Sequence, residues 1–505
     1  MSTRKKIIQL VKDHFDEEFP EEKFTPGVSP VPVSGRSFDY KDIESLIDAS
    51  LDFWLTEGRF TDLFEEKFSN FLNIKHTVPV NSGSSANLLA FTALTSHKLK
   101  DKAIKKGDEV ITVASGFPTT INPIIQNGCV PVFLDCELGT YNIKVDNLED
   151  ALSKKTRAVM LAHTLGNPFD LKAVTNFCKE NDLFLIEDSC DALGSKYDNK
   201  FTGTFGEMGT YNIKIDNLED ALSKKTKAVM LAHTLGNPFD LKAVTNFCNE
   251  NDLFLIEDSC DALGSKYDNK FTGTFGEMGT YSFYPAHHIT MGEGGAVVTN
   301  NGVIKKVLES IRDWGRDCWC APGEADTCNR RYDWELGNLP YGYDHKYIYS
   351  HIGYNLKLTD LQSSVGVSQL DKAEYFINRR KENWKQLYDG IKSLEEFFIL
   401  PKKEPNSDPS WFGFALTVKK EAPFSRPELI KFLDERKINS RFLFGGNILW
   451  QPAYQNIEHR EIGSLSNSDD VALSTFWLGV FPGLSSEMIN YVIESLNEFV
   501  RSRIR

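Results

Sequence analysis

Short apolar runs alternate with amphipathic stretches along about the first 305 residues, and that rhythm sets the expected fold. EVITVAS (109–115) and VPVFLD (130–135) predict buried strands with helical patterns between them. Further on, NLEDALSKKT predicts a helix, KAVMLAHTLG a strand, GNP a turn, DLKAVTNFCNEN a helix and LFLIEDS a strand. KYDNKFTG then predicts a hairpin. Short buried strands alternating with helices imply a parallel α/β sheet. Beyond about residue 305 the rhythm changes. A Cys- and aromatic-rich loop region (314–352) gives way to helices and then to a mixed part. The organisation expected is an N-terminal helical segment (1–60), a large α/β domain (61–310) and a Cys-rich loop with a smaller C-terminal α+β domain (311–505).

The pattern also repeats. Residues 139–208 and 209–278 match at an offset of 70, differing only at Val145/Ile215, Arg157/Lys227 and Lys179/Asn249. Solenoid repeats diverge and usually run to three or more copies, so two near-identical copies point to a recent tandem duplication of an internal segment or to an artefact of sequence assembly. One copy is expected to build the core and the other to bulge out or displace an edge. Continuity with the downstream segment favours the second copy as the one beside the site.

Composition narrows the function classes. The chain has 505 residues, 41% of them hydrophobic and 25% charged, as in an ordinary soluble protein of two or more domains. A net charge of −14 argues against a nucleic-acid binder. No apolar run approaches the roughly 20 residues that span a bilayer. MSTRKKIIQLVKDHF predicts an amphipathic helix, not a signal peptide, so a cytoplasmic enzyme is expected.

Several residues carry candidate chemistry. The small-residue turn Gly83, Ser84, Ser85 opens the apolar helix LLAFTAL, and such a helix start offers N–H groups and a positive dipole end to a phosphate. It also serves as a plain N-cap. Phe117 follows the EVITV strand, where an aromatic can stack on a planar cofactor or simply fill core. Asp258 ends the second LFLIED run, and Asp188 is its twin. A carboxylate at that edge of an open α/β sheet can pair with a protonated ring nitrogen, or belong to an ordinary turn.

Cysteines form a second constellation. Cys260, Cys318, Cys320 and Cys328 give C-x57-C-x-C-x7-C. Four thiolates are the ligand set of a [2Fe–2S] cluster, with zinc as the generic alternative, and spacing alone does not separate them. Cys129, Cys136, Cys178, Cys190 and Cys248 are more simply buried small apolar residues.

The order GSS, aromatic, EDS, then Ser282-Phe283-Tyr284-Pro285-Ala286-His287-His288 and GEGG resembles the sugar aminotransferase and dehydratase (DegT/DnrJ/EryC1/StrS) family of fold-type I PLP enzymes. The loop Gly353–Asp360 adds to the likeness, which runs from about residue 35 to the end apart from the duplicated block. The resemblance implies an aspartate-aminotransferase-like fold, with a large mainly parallel sheet domain and a smaller α+β domain. It implies PLP or PMP held by Gly83, Ser84, Ser85, Phe117, Asp258, Ser282 and Asn355.

One departure matters most. His287 stands where the family has its Schiff-base lysine, and imidazole cannot form the covalent C=N bond that anchors PLP. Tyr284 replaces the usual histidine of the SFH motif, and Asp261 lies where aminotransferases often have His or Gln. The histidine at 287 is shared by the 4-keto-6-deoxysugar 3-dehydratases, and the three departures agree with one another. The cysteine pattern is similar to that of their iron–sulfur branch, with Cys260, Cys318, Cys320 and Cys328 as ligands. That resemblance implies CDP-4-keto-6-deoxyglucose as substrate, noncovalent PMP, and His287 as the base at the cofactor's C4′ carbon. It also implies a flavin iron–sulfur reductase as electron donor and a homodimer. Asp261, Tyr284 and Phe412 are placed near the substrate. The rival readings are a nucleotide-sugar aminotransferase, a GDP-sugar 3-dehydratase and an inactive duplicated relative.

Overall fold

Strands that are apolar on both faces need cover on both sides, which all-parallel sheets obtain from their crossover helices. The chain follows that rule. The computed structural model describes all residues except 1, 21–22, 73, 142–148, 154–155, 163–176, 178–183, 189–195, 198–199, 202–227, 233–253, 259–265, 268–269, 272–277, 319, 321–323, 328, 403–408 and 505. For the strands between residues 184 and 271 only the backbone is described.

The N-terminal helices α1 (Thr3–Glu18), α2 (Tyr40–Ser50) and α3 (Arg59–Leu72) lead to β1 (His76–Val80) and α4 (Gly83–Ala93). Then come β2 (Glu109–Val113), α5 (Pro118–Gln126), β3 (Val130–Leu134) and β4 (Thr156–Ala162). β5 (Phe184–Asp188), β6 (Lys196–Tyr197) and β7 (Lys200–Phe201) belong to the first copy of the repeat. β8 (Ala228–Ala232), β9 (Phe254–Asp258), β10 (Lys266–Tyr267) and β11 (Lys270–Phe271) belong to the second. β12 (Met278–Ser282), β13 (Gly295–Thr299) and α6 (Gly302–Arg312) complete the large unit.

The large sheet runs β1-β13-β12-β9-β5-β4-β2-β3, with β8 also paired to β4 and β9. All these neighbours are parallel except at β13, which is antiparallel to both β1 and β12. The helix α4 is buried along most of its length, between β12 and β13 on one side and α5 and α6 on others. That environment explains why its sequence is apolar all round.

The duplication resolves differently from the expectation that one copy alone would build the core. β4 of the first copy lies against β2, and β9 of the second lies against β12. Between them, β5 and β8 each pair with both β4 and β9. The physical reason is that all four runs are apolar on both faces. Expelling one would expose side chains that each gain about 1.5–3 kcal/mol from burial. The expected hairpins form in both copies, β6–β7 and β10–β11, and they join through β7 and β10. Of the helices expected in the repeat, a short turn at Glu149–Ala151 and one helical residue, Phe177, are described, and the rest lie outside the described residues.

The C-terminal part begins with α7 (Asp360–Leu370) and α8 (Ala373–Ile391). A separate antiparallel sheet is formed by β14 (Phe398–Ile399), β15 (Gly413–Val418), β16 (Arg441–Phe442) and β18 (Thr475–Gly479). Helices α9 (Arg426–Glu435), α10 (Ser466–Ser474) and α11 (Ser486–Arg503) cover it. β17 (Arg460–Glu461) instead joins the large sheet, parallel to β3. The expected N-terminal amphipathic helix is α1, with Val11 as its buried residue. Among the described residues, no helix is long and apolar enough to cross a membrane.

Candidate active site

The C-terminal ends of the parallel strands form one edge of the large sheet, where ligands of open α/β folds bind. α4 starts there, three residues after β1. Its N-cap is Ser82, whose hydroxyl accepts from the Ser85 amide at 3.1 Å, and the Ser85 hydroxyl donates to Asn81 at 2.6 Å. The amides at the start of any helix lack intrahelical acceptors and carry the positive end of the dipole. Ser84 is exposed on this turn. Gly83 packs against the end of β12 so closely that a Cβ there would lie 2.3 Å from the Ser282 Cβ. Glycine is required at that position, and the contact places Gly83, Ser84 and Ser85 beside Ser282.

The remaining sheet-edge candidates converge on the same side. Asp258 is the last residue of β9 and is the backbone partner of Thr280 on β12. It is therefore the second copy's aspartate, not Asp188, that ends next to the Ser282 strand. Phe117 is the N-cap of α5, 46% exposed, with its ring edge-on to Phe444 at 5.7 Å. A helix N-terminus, a carboxylate-bearing strand end and an exposed ring on one edge fit a phosphate-bearing aromatic cofactor.

His287 follows β12 in a turn closed by its own amide, which donates to the Tyr284 carbonyl at 2.9 Å. Its half-buried ring lies 5.3 Å from Phe412 and 6.5 Å from the exposed Tyr284. Burial, with the Arg380 guanidinium adding to it, pushes the imidazole down to about 3. His287 is therefore neutral at physiological pH, the form that accepts a proton. His288 differs. It is 3% exposed, and its Nε2 donates to the Ser410 carbonyl at 2.6 Å. The adjacent histidines divide into one half-buried behind Tyr284 and one tied into the core.

Arg380 on α8 was not apparent from the sequence. It is fully buried and donates to the carbonyls of Ala286 at 3.1 Å, His287 at 3.0 Å and Phe412 at 3.3 Å. A signal existed, since Arg380 falls on the buried stripe Phe376, Ile377, Asn383, Leu387 of α8. Phe412 itself is buried and packs on Trp477 at 5.3 Å. It forms a wall behind His287.

Asn355 is exposed on a loop tied to the start of α4, because the Asn81 amide donates to the Leu356 carbonyl at 2.8 Å. Asn355 also makes a backbone bridge with Asp313, whose carboxylate pairs with Lys357 at 3.3 Å. Beneath it the buried Arg312 pairs with Glu57 at 2.7 Å and donates to the Pro79 carbonyl at 3.0 Å. Gly315, at a φ of +84°, closes the base of the loop, since a Cβ there would lie 1.8 Å from the His351 carbonyl oxygen.

The cysteines are only partly in view. Cys318 is buried and Cys320 half-buried, and both sulfurs lie within 4.8 Å of a ring nitrogen of His345 and of each other. Cys260, Cys328 and Asp261 lie outside the described residues. Cys129 and Cys136 are buried thiols, as expected of small apolar residues. Burial pushes both up to about 12, so neither is a reactive thiolate. Cys178, Cys190 and Cys248 lie outside the described residues.

The model of the DegT/DnrJ/EryC1/StrS aminotransferase family matches residues 37–211 and 207–497, two matches that divide the chain within the repeat. The lipopolysaccharide biosynthesis protein RfbH of Salmonella typhimurium is 46% identical over 98% of both chains. The dTDP-4-dehydro-2,6-dideoxy-D-glucose 3-dehydratase of Saccharopolyspora spinosa is 44% identical over 98% of this chain and 92% of its own. A solved structure of the E. coli GDP-4-keto-6-deoxy-D-mannose-3-dehydratase with bound hydrated PLP shares the fold, at a TM-score of 0.70 and 23% identity over 92% of this chain and 99% of its own. The edge geometry and the family match together establish that this chain belongs to the DegT/DnrJ/EryC1/StrS aminotransferase family and has its PLP fold-type I architecture.

Proposed function

We propose that the chain is a nucleotide-sugar 3-dehydratase that uses PMP and a [2Fe–2S] cluster, with CDP-4-keto-6-deoxyglucose as its substrate. The observation that carries this reading is His287. A neutral imidazole stands at the sheet edge, five residues after Ser282, where a transaminating relative needs a lysine. Two relatives support the reaction class, being named 3-dehydratases of a dTDP-sugar and of GDP-4-keto-6-deoxy-D-mannose, the second in Yersinia pseudotuberculosis at 28% identity.

When bound, PMP supplies an amine for the C4 ketone of the sugar and a ring that accepts electrons. The chain's own residues do the rest. The α4 N-terminus at Gly83, Ser84 and Ser85 holds the phosphate, with Ser282 beside it. Asp258 keeps the ring nitrogen protonated, and Phe117 stacks on the ring. His287 would take the proton from the cofactor's C4′ carbon, the step that loss of the C3 hydroxyl would require. Tyr284, Phe412 and Asp261 border the sugar. Asn355 reaches the cofactor site from its loop, within a homodimer. Cys260, Cys318, Cys320 and Cys328 would hold the cluster, which would pass electrons one at a time from a flavin iron–sulfur reductase.

The test is an anaerobic assay with PMP, a reduced flavin iron–sulfur reductase and CDP-, dTDP- and GDP-linked 4-keto-6-deoxy sugars in parallel. The expected product from the CDP-sugar is a keto sugar lacking one oxygen at C3. An amino sugar formed from glutamate would replace this reading with a transaminase. Turnover of the dTDP-sugar alone would keep the reaction and change the nucleotide, a second reading favoured by the 44% identical S. spinosa relative.

A further inference from the structure

A nucleotide sugar whose C4 lies at His287 carries its diphosphate across the ring, at C1. Those negative charges need donors close by, because the chain as a whole carries −14. The cations already described are committed elsewhere. Arg380 is buried against three carbonyls, Arg312 pairs with Glu57 at 2.7 Å, and Lys357 pairs with Asp313 at 3.3 Å. Arg441 is exposed on β16, the edge strand of the small sheet, and among the described residues it pairs with no carboxylate. Its Nη1 donates to the Ser440 carbonyl at 2.9 Å, which leaves the other edge of the guanidinium open.

Two independent sets of contacts tie this strand to the candidate site. Arg441 stands opposite Trp477 across the antiparallel pair, so both side chains project to one face with Cβ atoms about 4.5–5.5 Å apart. Trp477 packs on Phe412 at 5.3 Å, and Phe412 packs on His287 at 5.3 Å. The Trp477 indole also donates to the Phe442 carbonyl at 3.2 Å, which fastens β16 to that wall. Further on, Phe444 lies edge-on to Phe117 at 5.7 Å, and the Ile448 amide donates to the Ala114 carbonyl at 2.9 Å, just past β2. Phe444 holds a φ of +44°, a left-handed conformation that strains a bulky residue, and such strain gathers at ligand sites. The segment 441–448 therefore runs from the wall behind His287 to the ring at the cofactor edge. We propose that Arg441 binds the diphosphate of the nucleotide sugar, through the paired N–H groups that a planar guanidinium offers to phosphate oxygens. The inference rests on the nucleotide-sugar reading above, but not on the cluster or on loss of the C3 oxygen. Phosphate contacts carry no base identity, so Arg441 separates nucleoside diphosphates from nucleosides, not one base from another.

The probes are CDP, dTDP and GDP, titrated calorimetrically into the full-length, PMP-loaded protein, with the matching nucleosides alongside. Wild type is expected to bind at least one diphosphate more tightly than its nucleoside, with an affinity that falls as salt rises. Arg441→Ala should weaken that diphosphate by about 10–100-fold, the scale of charge-assisted hydrogen bonds, and leave the nucleoside unchanged. Arg441→Lys should recover part of the loss, since an ammonium keeps the charge but not the fork. Arg436→Ala, which removes a surface cation paired with Glu498 at the end of α9, is the control and should bind as wild type does. Equal diphosphate affinity in wild type and Arg441→Ala overturns the proposal, whatever the reaction product. An equal loss in Arg436→Ala also overturns it, by reducing the effect to bulk charge. Wild type that binds no nucleoside diphosphate overturns it together with the nucleotide-sugar reading. An amino sugar as product, with diphosphate binding still dependent on Arg441, removes the dehydratase and leaves this site standing.

Discussion

Arg380 donates to the backbone carbonyl of His287 at 3.0 Å, from a helix 93 residues away in sequence. The same guanidinium holds the carbonyls of Ala286 and Phe412. It therefore fixes both the segment that carries the imidazole and the ring that backs it, and its charge helps to keep the imidazole neutral. Arg380 is a positioning residue.

Arg380→Lys keeps the charge but loses the planar fork that reaches three acceptors. Turnover is expected to fall by about 100-fold, the scale of a misplacement of about 1 Å at a reacting group. In Arg380→Met the positive charge is gone, so the His287 imidazole should titrate at a higher pH, read by NMR of the labelled ring. An unchanged titration in Arg380→Met, with only a lowered melting temperature, would reduce Arg380 to a structural role.

His287 and His288 should separate cleanly on mutation. His287→Asn should keep PMP binding and lose C3 deoxygenation by about 10²–10⁴-fold, the usual contribution of a general base. His288→Asn breaks a buried hydrogen bond to Ser410 and should cost about 1–3 kcal/mol of stability while the folded fraction still turns over. The reverse outcome would move the base to His288.

Acid stability follows from the same pair. Burial is the main cause that holds both imidazoles below their ordinary value of 6.5, His287 at about 3. Between those pH values the unfolded chain binds protons that the folded chain does not. Stability therefore falls as pH drops through that window and is intact above it. Denaturant melts from pH 7 to pH 4 should show a shallower loss in His287→Asn/His288→Asn than in wild type. Parallel curves would show that other groups dominate.

Cys318 is one of the four proposed cluster ligands. Cys318→Ser should lose iron and visible absorbance after anaerobic preparation while PMP binding remains, checked by metal analysis and by fluorescence of the cofactor. Iron retained at the wild-type level would remove Cys318 from the cluster.

Deleting residues 139–208 should leave a folded protein. It removes β4 to β7, but the second copy repeats those stretches with Lys227 for Arg157, and its β8 and β9 already pair with each other. β8 can then take the place of β4 beside β2. Deleting 209–278 instead should give nearly the same melting temperature, because the copies differ only at Val145/Ile215, Arg157/Lys227 and Lys179/Asn249. A soluble, more stable product in both cases is expected. Aggregation of both would mean that the doubled strands are needed for the sheet.

The sequence by itself determined the strands, the parallel α/β class and the helix start at Gly83, because apolar runs and small-residue turns are local signals. It also brought His287 into focus, since one residue type in one motif decides whether a covalent bond to PLP can form. Two near-identical copies left the register undecided, because local preference cannot choose between equal strands. Tertiary pairing placed β9 beside β12 and kept β4 beside β2. Only the fold could show that His287 is half-buried while His288 is tied to the Ser410 carbonyl in the core, as one residue of phase in a turn reverses a side chain. The same holds for Arg380. A buried guanidinium resembles any other in sequence, and its role appears only when distant backbone carbonyls are brought within reach of it.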